Sequence, residues 1–560
     1  MGKKLVLLFS AAALALAVVP AQAAPKQASR ITSISHRRTG HAHHESGPRR
    51  LPSVAPAPND ALTRAFRRGR LTAAEYSLER ASSLFRIGRA RDRFGEVERV
   101  HPRSMTMVLR DLAARIDQLE GAHLDRARAV LARPTDGPGD GFGYAAGAVT
   151  DSVCSTNLCV TWTEGDADSP PLADIDGNGV PDQVEQVLEA FETSWSVQVG
   201  ELGYRAPLPD AEGPDSRLDV YLSDLGADGF YGYCQPEPFD EGFVAPASCG
   251  VDNDFSAAQF PSMSGLPALQ ATAAHEFFHA VQSGYDFFED IWMSEGTAAW
   301  MEDQVFDDVN DNYQYLPGSQ LRFPGVPLDS SRPTDGYGYQ SWLWWQHLTE
   351  QFDADIIRQI WTRAAAFSGA PDDYSLQAVD NVLWNQHDYS FRAAFADFTS
   401  FNNFAEAWYQ EGPQYVEVAG YPPARSWKLT RRRPRKKAAP VLNHLTSTNF
   451  DVRPGRGVSR SARLKLILDL PKRATGPEAT AIVWKRDNSL AVKPIRISNS
   501  GDAVVKVAFG RGTVRSVFVT LTNASGRFRD CWSDMSFTYT CAGRPRDDRR
   551  SYAIKAKVVR

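Results

Sequence analysis

Two histidines and a glutamate form the pattern with the clearest chemistry in the chain. His275, Glu276 and His279 stand in the order H-E-x-x-H, inside a stretch with helical periodicity. Residues four apart on an α-helix are rotated by about 40° and separated by about 6 Å along the axis, so both imidazoles can reach one ion. Neutral imidazole nitrogen suits zinc, and Glu276 is placed to take a proton from a metal-bound water. The pattern therefore predicts a zinc site with Glu276 as its general base.

A third ligand is expected downstream of the two histidines. The metzincin continuation H-x-x-G-x-x-H is excluded, because Gln282 and Tyr285 occupy its glycine and final histidine positions. Glu295 and Glu302 follow in the next helical pattern, seven residues apart and so on one helix face. A glutamate there can bind the metal or orient a histidine that does so.

The run W-M-S-E-G-T-A at residues 292–298 resembles the second zinc helix of gluzincin metallopeptidases, whose ligand glutamate lies in a W-x-x-E-G-x-A-like stretch. The resemblance is to secreted bacterial metalloproteases of this type and covers roughly residues 155–415. It implies a zincin-like α+β catalytic domain with Glu295 as the third zinc ligand, and Glu302 is the second choice. The exopeptidase-type G-x-M-E-N stretch is absent, which favours an endopeptidase.

Hydrolysis also needs a group that stabilises the oxyanion. Many gluzincins add a tyrosine or histidine from a later segment, and the resemblance makes Tyr337 and Tyr339 the candidates here. For each of them, packing of a turn tyrosine on the surface is the alternative.

An acidic loop at residues 174–185 predicts a second metal site, for calcium. It matches D-x-[DN]-x-[DN]-G-x5-E at every fixed position, with Gly179 at the sharp turn. Prolines precede the loop, so only its exit helix is expected, and a solvated acidic turn is the alternative. The oxygen ligands would come from the side chains, or in one case the carbonyl, of Asp174, Asp176, Asn178, Val180 (carbonyl), Asp182 and Glu185.

The elements that must position these residues mix strand-like runs with long helical patterns, which indicates a multidomain α+β protein. Helical patterns cover residues 182–199, 266–283, 291–305, 339–350 and 355–365, and candidate strands cover 158–162 and 218–222. Residues 59–140 are predicted to be helical, with Thr72 and Glu75 as a capping box. Alternating β-formers between residues 440 and 560 predict an all-β sandwich.

Charge divides the chain into three parts. Residues 1–140 carry 24 Lys and Arg against 13 Asp and Glu, residues 141–430 carry 9 against 45, and residues 431–560 carry 29 against 9. A basic helical part before an acidic domain predicts a pro-segment over 59–140, and a plain helical subdomain is the alternative. The basic run 431–437 predicts an exposed linker between the metallopeptidase domain (141–430) and a β-sandwich domain (431–560).

The N-terminus predicts export. Lys3 and Lys4 precede an apolar run at 5–19 and a small-x-small cleavage site at 21–23, so residues 1–23 are predicted to be a signal peptide. The run is shorter than the roughly 20 residues of a membrane span. Residues 24–58 have the composition of a disordered linker. Local disulfides are expected in an exported chain, between Cys154 and Cys159, Cys234 and Cys249, and Cys531 and Cys541.

Together these patterns predict a secreted zinc endopeptidase, made as a proenzyme, that hydrolyses peptide bonds in protein or peptide substrates. No cysteine precedes Cys154, so latency must come from occlusion, with charge complementarity as one source. A nucleic-acid partner is not expected, because the basic run 431–437 lacks interleaved aromatic residues. The alternative is a calcium-dependent secreted binding or adhesion protein with a non-catalytic zinc site, against which the intact Glu276 argues. The oligomeric state stays open.

Overall fold

The structure, a computed structural model, describes residues 60–137, 143–210, 215–237, 242–331, 336–531 and 539–560. The predicted signal peptide and the linker up to residue 58 lie outside the described residues. The described part is mixed α+β, with fourteen α-helices, several sheets and an all-β region at its C-terminal end, which confirms the predicted class at this level. None of its helices is both long and apolar enough to cross a bilayer.

Residues 60–137, called the N-terminal helical block below, contain five short helices. These are α1 (Ala61–Arg67), α2 (Ala73–Ser82), α3 (Ile87–Phe94), α4 (Met105–Ala113) and α5 (Gly121–Leu131). The predicted capping box starts α2: Glu75 N–H donates to Thr72 Oγ1 at 3.2 Å, and Thr72 N–H donates to the Glu75 carboxylate at 2.7 Å. Apolar residues of α2 and α4 pack in one cluster with Phe230 and Tyr233, so the block shares a core with the central region.

A five-stranded sheet forms the base of the central region. Its strands are β1 (Val149–Cys154), β2 (Leu158–Glu164), β3 (Leu218–Ser223), β4 (Gly232–Pro236) and β5 (Ala247–Asp252). They lie in the order β1-β2-β3-β5-β4, with β2, β3 and β5 parallel and β1 and β4 antiparallel at the edges. On one side, β4 therefore has no strand partner among the residues that the structure describes.

All six cysteines pair as the sequence predicts. Cys154 and Cys159 join β1 to β2 at a paired position, and Cys234 and Cys249 join β4 to β5 in the same way. The third bridge links Cys531 to Cys541. Two of the bridges thus reinforce the two antiparallel edges of the central sheet.

Nine helices complete the central region. They are α6 (Asp182–Trp195), α7 (Gly265–Asp286), α8 (Ile291–Val305), α9 (Trp342–Gln351), α10 (Asp355–Ala364), α11 (Leu376–His387), α12 (Phe391–Phe401), α13 (Ala405–Trp408) and α14 (Gly412–Ala419). Helices α7 and α8 are buried on nearly every side, as their apolar and small residues require. A Cβ at Gly296 would lie 2.0 Å from Ser341 Oγ, so this glycine lets the turn before α9 lie directly on α8.

The C-terminal β region consists mainly of two sheets that pack face to face around an apolar core. One sheet has the strand order β12-β11-β14-β9-β6 and the other β13-β10-β18-β7. The strands of the region are β6 (Ala424–Leu429), β7 (Arg435–Ala438), β8 (Val441–Leu442), β9 (Thr446–Pro454), β10 (Arg463–Asp469), β11 (Pro477–Lys485), β12 (Leu490–Pro494), β13 (Asp502–Ala508), β14 (Val514–Asn523), β15 (Phe528–Arg529), β16 (Arg544–Pro545), β17 (Arg550–Ser551) and β18 (Ala553–Val559).

The basic run 431–437 differs from the predicted linker. Strand β6 precedes it and already belongs to the five-stranded sheet, and β7 begins inside it and pairs with β18. The backbone hydrogen bonds to β18 hold the run, while its charged side chains stay in water. The β region thus begins before residue 431, and the run is part of a sheet.

A buried histidine connects the β region to the central region. His444 Nε2 lies 2.9 Å from Asp329 Oδ1, and its Nδ1 lies 2.7 Å from Asp548 Oδ1. Close by, the N–H of Cys541 donates to the carboxylate of Asp290 at 3.0 Å, directly before α8 begins. The β region therefore braces the start of the helix that carries Glu295.

Candidate metal centre

Three predicted ligands meet between α7 and α8. Nε2 of His275 lies 3.1 Å from Nε2 of His279, and Oε2 of Glu295 lies 3.2 Å and 3.4 Å from these two nitrogens. One ligand atom from each residue lies within 4.8 Å of the others, and all three side chains are buried. Helix α7 thus places two imidazoles side by side, and the first turns of α8 place a carboxylate next to both of them.

Neighbouring side chains hold each imidazole in the orientation that a metal needs. Nδ1 of His275 lies 2.7 Å from the carboxylate of Glu302, which can only accept when ionised. Nδ1 of His279 lies 2.8 Å from Oε1 of Gln282, whose amide nitrogen in turn donates to the carbonyl of Ser294. Both Nδ1 atoms therefore carry the proton, and both Nε2 lone pairs point to the centre. Of the two candidate glutamates, Glu295 completes the group and Glu302 orients His275.

The donor set fits a divalent cation. Two Nε2 atoms facing each other at 3.1 Å need a positive charge between them, which a proton or a metal ion can supply. Oε1 of Glu295 is buried and has no hydrogen-bond partner in the described part of the chain. Two imidazoles and a carboxylate suit zinc, and other first-row divalent ions accept the same ligands.

The electrostatics of the group favour a positive charge. Burial opposes ionisation, but hydrogen bonds with both histidines hold the pKa of Glu295 at about 2. Burial likewise acts against the imidazolium, yet hydrogen bonds with Glu295 and Glu302 raise the pKa of His275 to about 10. The ionised Glu295 thus gives the centre a negative potential, while burial raises the pKa of Glu302 to about 7.

Glu276 lies on the next position of α7, against the edge strand of the sheet. Burial raises the pKa of its carboxyl group. A Cβ at Gly232 would lie 3.2 Å from Glu276 Cγ and 2.8 Å from Thr272 Cγ2, so the glycine lets β4 approach α7 closely. A carboxyl group with a raised pKa, next to the ligands, is what a general base for water requires.

Of the two predicted tyrosines, the structure places Tyr339 at the centre. Its ring stacks on that of His275 with a centroid distance of 5.4 Å and an interplanar angle of 20°. Its hydroxyl donates to the carbonyl of Arg103 and accepts from Ser104 Oγ at 3.4 Å. Tyr337 is half-buried in the same turn, and none of the contacts that define the group of three ligands involves it.

A segment of the N-terminal helical block covers the centre. Thr106 Oγ1 donates to Glu276 Oε2 at 2.9 Å and accepts from the N–H of Cys234, on the open edge of β4, at 3.0 Å. The N–H of Tyr231 also points to the carbonyl of Pro102, at 3.5 Å. Residues 102–106 therefore lie along the edge strand and contact the predicted general base.

Buried arginines fix this block to the central region. Arg103 lies 2.8 Å from Asp311 and 3.8 Å from Glu302. Arg110 donates to the carbonyls of Phe287 and Glu289, which lie between α7 and α8. The sequence analysis missed these residues, since they stand 177 to 208 positions before their partners, and only the opposite charges of the two regions pointed to the contact.

The acidic loop 174–185 lies on the surface, and α6 follows it as predicted. The carboxylate of Asp174 accepts from the N–H groups of Gly177 and Gly179 at 2.8 Å and 2.9 Å, and these bonds lower its pKa, with that of Gly179 the larger cause. The amide of Asn178 donates to Glu185 Oε1 at 2.6 Å. Among the described residues, only His275, His279 and Glu295 form a candidate metal site. Calcium binding by the six predicted residues of the loop therefore stays a prediction.

Comparisons with known proteins give little information on this chain. No family model and no curated protein matches it. Among solved structures, it is similar over 64% of its length to a family GH115 4-O-methyl-alpha-glucuronidase, BtGH115A, with specificity for decorated arabinogalactans, at 8% identity and a TM-score of 0.13. The match covers 53% of that enzyme, about half of its length. A likeness at this TM-score carries no argument about fold or activity.

Proposed function

We propose that the protein is a secreted zinc endopeptidase made as a latent proenzyme. The observation that carries the proposal is the buried group of His275, His279 and Glu295 with Glu276 beside it, on a helix that lies against an open sheet edge. This combines a metal site, a general base and a place for an extended peptide. Secretion is supported by the three disulfides.

The chain's own residues have separate roles in this proposal. His275, His279 and Glu295 would hold zinc, while Glu302 and Gln282 keep the two imidazoles oriented. Zinc, when bound, would polarise the peptide carbonyl and lower the pKa of a water molecule. Glu276 takes the proton of that water on its carboxylate and delivers it to the leaving nitrogen. The Tyr339 hydroxyl is the candidate donor to the developing oxyanion.

The edge strand explains how a polypeptide would bind. An unpaired edge presents a row of N–H and C=O groups that an extended peptide can pair with. The N–H of Cys234 is one such group. It donates to Thr106 Oγ1, which in turn donates to Glu276, so this edge group and the glutamate lie on either side of one hydroxyl. A substrate paired with β4 would therefore have its backbone beside the general base.

The position of residues 102–106 supports a latent form. Thr106 holds both the edge N–H and Glu276, and the carbonyl of Arg103 holds the Tyr339 hydroxyl. These are the groups that a substrate needs, so the N-terminal helical block has to leave before hydrolysis. In the proposed latent form, residues 102–106 occlude the site, and Arg103 and Arg110 supply the charge complementarity that holds them there.

The test compares the wild-type chain with Glu276→Gln, both loaded with zinc, before and after brief trypsin treatment. Arg128 is exposed and follows residues 102–106, so trypsin can separate these residues from the central region, and a gel checks that the exposed run 431–437 stays uncut. We expect wild-type casein hydrolysis to appear after this treatment and Glu276→Gln to be slower by about a hundredfold or more. Metal analysis should find equal zinc in both proteins, because Glu276 is not a ligand. Equal activity of the two proteins would refute the mechanism, and zinc binding without cleavage of any peptide would favour the non-catalytic alternative.

A further inference from the structure

The outer sheet of the C-terminal β region faces away from the acidic central region. Its partner, the five-stranded sheet, contacts the central helices: Thr399 of α12 and Thr522 of β14 join their hydroxyls at 2.8 Å, and the rings of Phe404 and Phe518 lie 4.9 Å apart. The sheet of β13, β10, β18 and β7 forms the opposite layer. Its inner residues, such as Leu464 and Leu466, fill the core, and its alternate residues point to solvent.

Basic side chains line up across this outer surface. The register pairs Lys465 of β10 with Lys506 of β13 on one side and with Lys557 of β18 on the other, and Lys557 with Arg435 of β7. Two residues further along, Lys555 pairs with Lys437 in the same way. We call these six outward residues the basic face: Arg435, Lys437, Lys465, Lys506, Lys555 and Lys557.

The arrangement destabilises the isolated protein. Neighbouring strands lie about 4.8 Å apart, and like charges directly opposite each other on one face repel. None of the six residues forms an ion pair with any part of the chain that the structure describes. Lysines often protect the edges of sheets against aggregation, but Lys465 and Lys557 stand on the two inner strands, where no edge needs protection.

We propose that the basic face binds a linear acidic polysaccharide that carries a carboxylate on each sugar. A straight row of evenly spaced cations across four strands matches a polymer with regularly spaced anions. Lysines place single charges on flexible stems, which can follow separate anionic groups along a polymer, whereas an arginine fork holds one carboxylate or phosphate in a fixed geometry. The chain's own acidic region is excluded as the occupant, because it lies behind the other sheet.

Other anionic partners fit the surface less well. No outward residue of the four strands is aromatic, so single-stranded nucleic acid would find no ring on which to stack its bases. Val504, which is 63% exposed, Ile467 and Val559 are the large apolar side chains among the outward residues, too few to enter a membrane interface. This inference does not depend on the metal centre or on peptide hydrolysis.

The test measures binding of the full chain to fluorescently labelled polygalacturonate, by anisotropy at low salt. The variant pair Lys465→Gln/Lys557→Gln is compared with Lys485→Gln/Lys493→Gln, which makes the same change in net charge on the other sheet. We expect the first pair to weaken binding by about tenfold or more, the second by less than about twofold, and salt to weaken wild-type binding.

Thermal unfolding of both variant pairs separates lost binding from lost folding. The Lys465→Gln/Lys557→Gln protein should unfold at the same temperature as wild type or slightly above it, because repulsion is relieved. Three outcomes would overturn the proposal: equal weakening by the two pairs, absence of wild-type binding at low salt, or binding to phosphatidylglycerol vesicles or single-stranded DNA but not to the polysaccharide.

Discussion

The N-terminal helical block and the basic face both carry an excess of positive charge, the first on arginines and the second mainly on lysines. Residues 60–137 contain no lysine, and several of their arginines lie buried against carboxylates or carbonyls of the central region. The lysines of the basic face lie on a solvated surface and form no ion pair with the described residues, although Asp469 and Asp502 lie at the end of the same face. Planar guanidinium groups satisfy several acceptors in fixed directions, whereas ammonium groups remain well hydrated. Net charge alone therefore does not separate cations that hold two regions together from cations that face solvent. The partners of each cation make this distinction.

The largest effect should come from Arg133, the most highly paired arginine of the N-terminal helical block. Its guanidinium lies 2.7 Å from Asp210, 3.1 Å from Asp219 and 2.6 Å from Glu237. Arg133→Met leaves these carboxylates without their cation, and removing one partner of a buried ion pair costs about 3–5 kcal/mol. Urea unfolding of the full chain measures the loss.

Arg217→Met is the matched control for this prediction. Arg217 pairs with Asp215 on the surface, so its loss should change the free energy of unfolding little. If the two variants were equally stable, the arginines of the N-terminal helical block would be no more than solvated charges, and the contrast with the basic face would disappear.

The two helices that carry the site could be predicted from the sequence, because the periodicity that indicates a helix lies within the helix itself. Helix α8 begins and ends at Ile291 and Val305 as predicted, and α7 extends the predicted 266–283 by one residue at one end and three at the other. Long helices have a periodicity that each turn repeats, and the ligand histidines belong to one such helix.

The parts of the site that could not be predicted depend on contacts between distant residues. Strands β4 and β5 contain one β-former each, Tyr233 and Val251, among glycine, cysteine and polar residues, and pairing across the sheet stabilises them instead. Thr106 meets Glu276 across 170 residues, and nothing in its neighbourhood marks it as a contact of the site. The choice between Glu295 and Glu302 likewise needed the three-dimensional arrangement of α7 and α8.

His444 is a buried histidine of the β region that lies between two carboxylates. Its variant tests whether a cation there stabilises the protein as the buried arginines of the N-terminal helical block do. Burial disfavours its charge, but Asp329 and Asp548 raise its pKa to about 9. Since the pKa in the folded state exceeds the usual value of about 6.5, the stabilisation is complete below pH 6.5 and is lost as pH rises to 9. The loss should amount to about 3 kcal/mol, and unfolding of wild type and His444→Gln at pH 6 and pH 9.5 measures it.

The wild-type protein should lose more stability over this range than His444→Gln does. His123→Gln serves as the control, because His123 is a more exposed histidine, 3.6 Å from Glu75. Parallel pH profiles of wild type and His444→Gln would show that His444 is not charged in the folded protein, and the cation would then be absent from this junction.

The smallest expected effect on stability comes from Thr106, whose variant tests one hydrogen-bonded contact of the N-terminal helical block and leaves the charges of the block unchanged. Thr106→Val keeps the shape of the side chain but removes the hydroxyl that joins Glu276 to the N–H of Cys234. The loss of a buried hydrogen bond should cost about 1 kcal/mol, because the arginines still hold the block in place. Peptide hydrolysis by the zinc-loaded, untreated full chain should nevertheless rise by up to about fivefold over wild type, because a block held about 1 kcal/mol less tightly leaves Glu276 and the edge of β4 more often. Ser83→Ala removes one buried hydroxyl of the same block, which donates to the carbonyl of Arg80 away from the metal centre, and should leave hydrolysis unchanged. If both variants raised hydrolysis equally, general loosening of the block would explain latency, and the specific contact of Thr106 with the base would not.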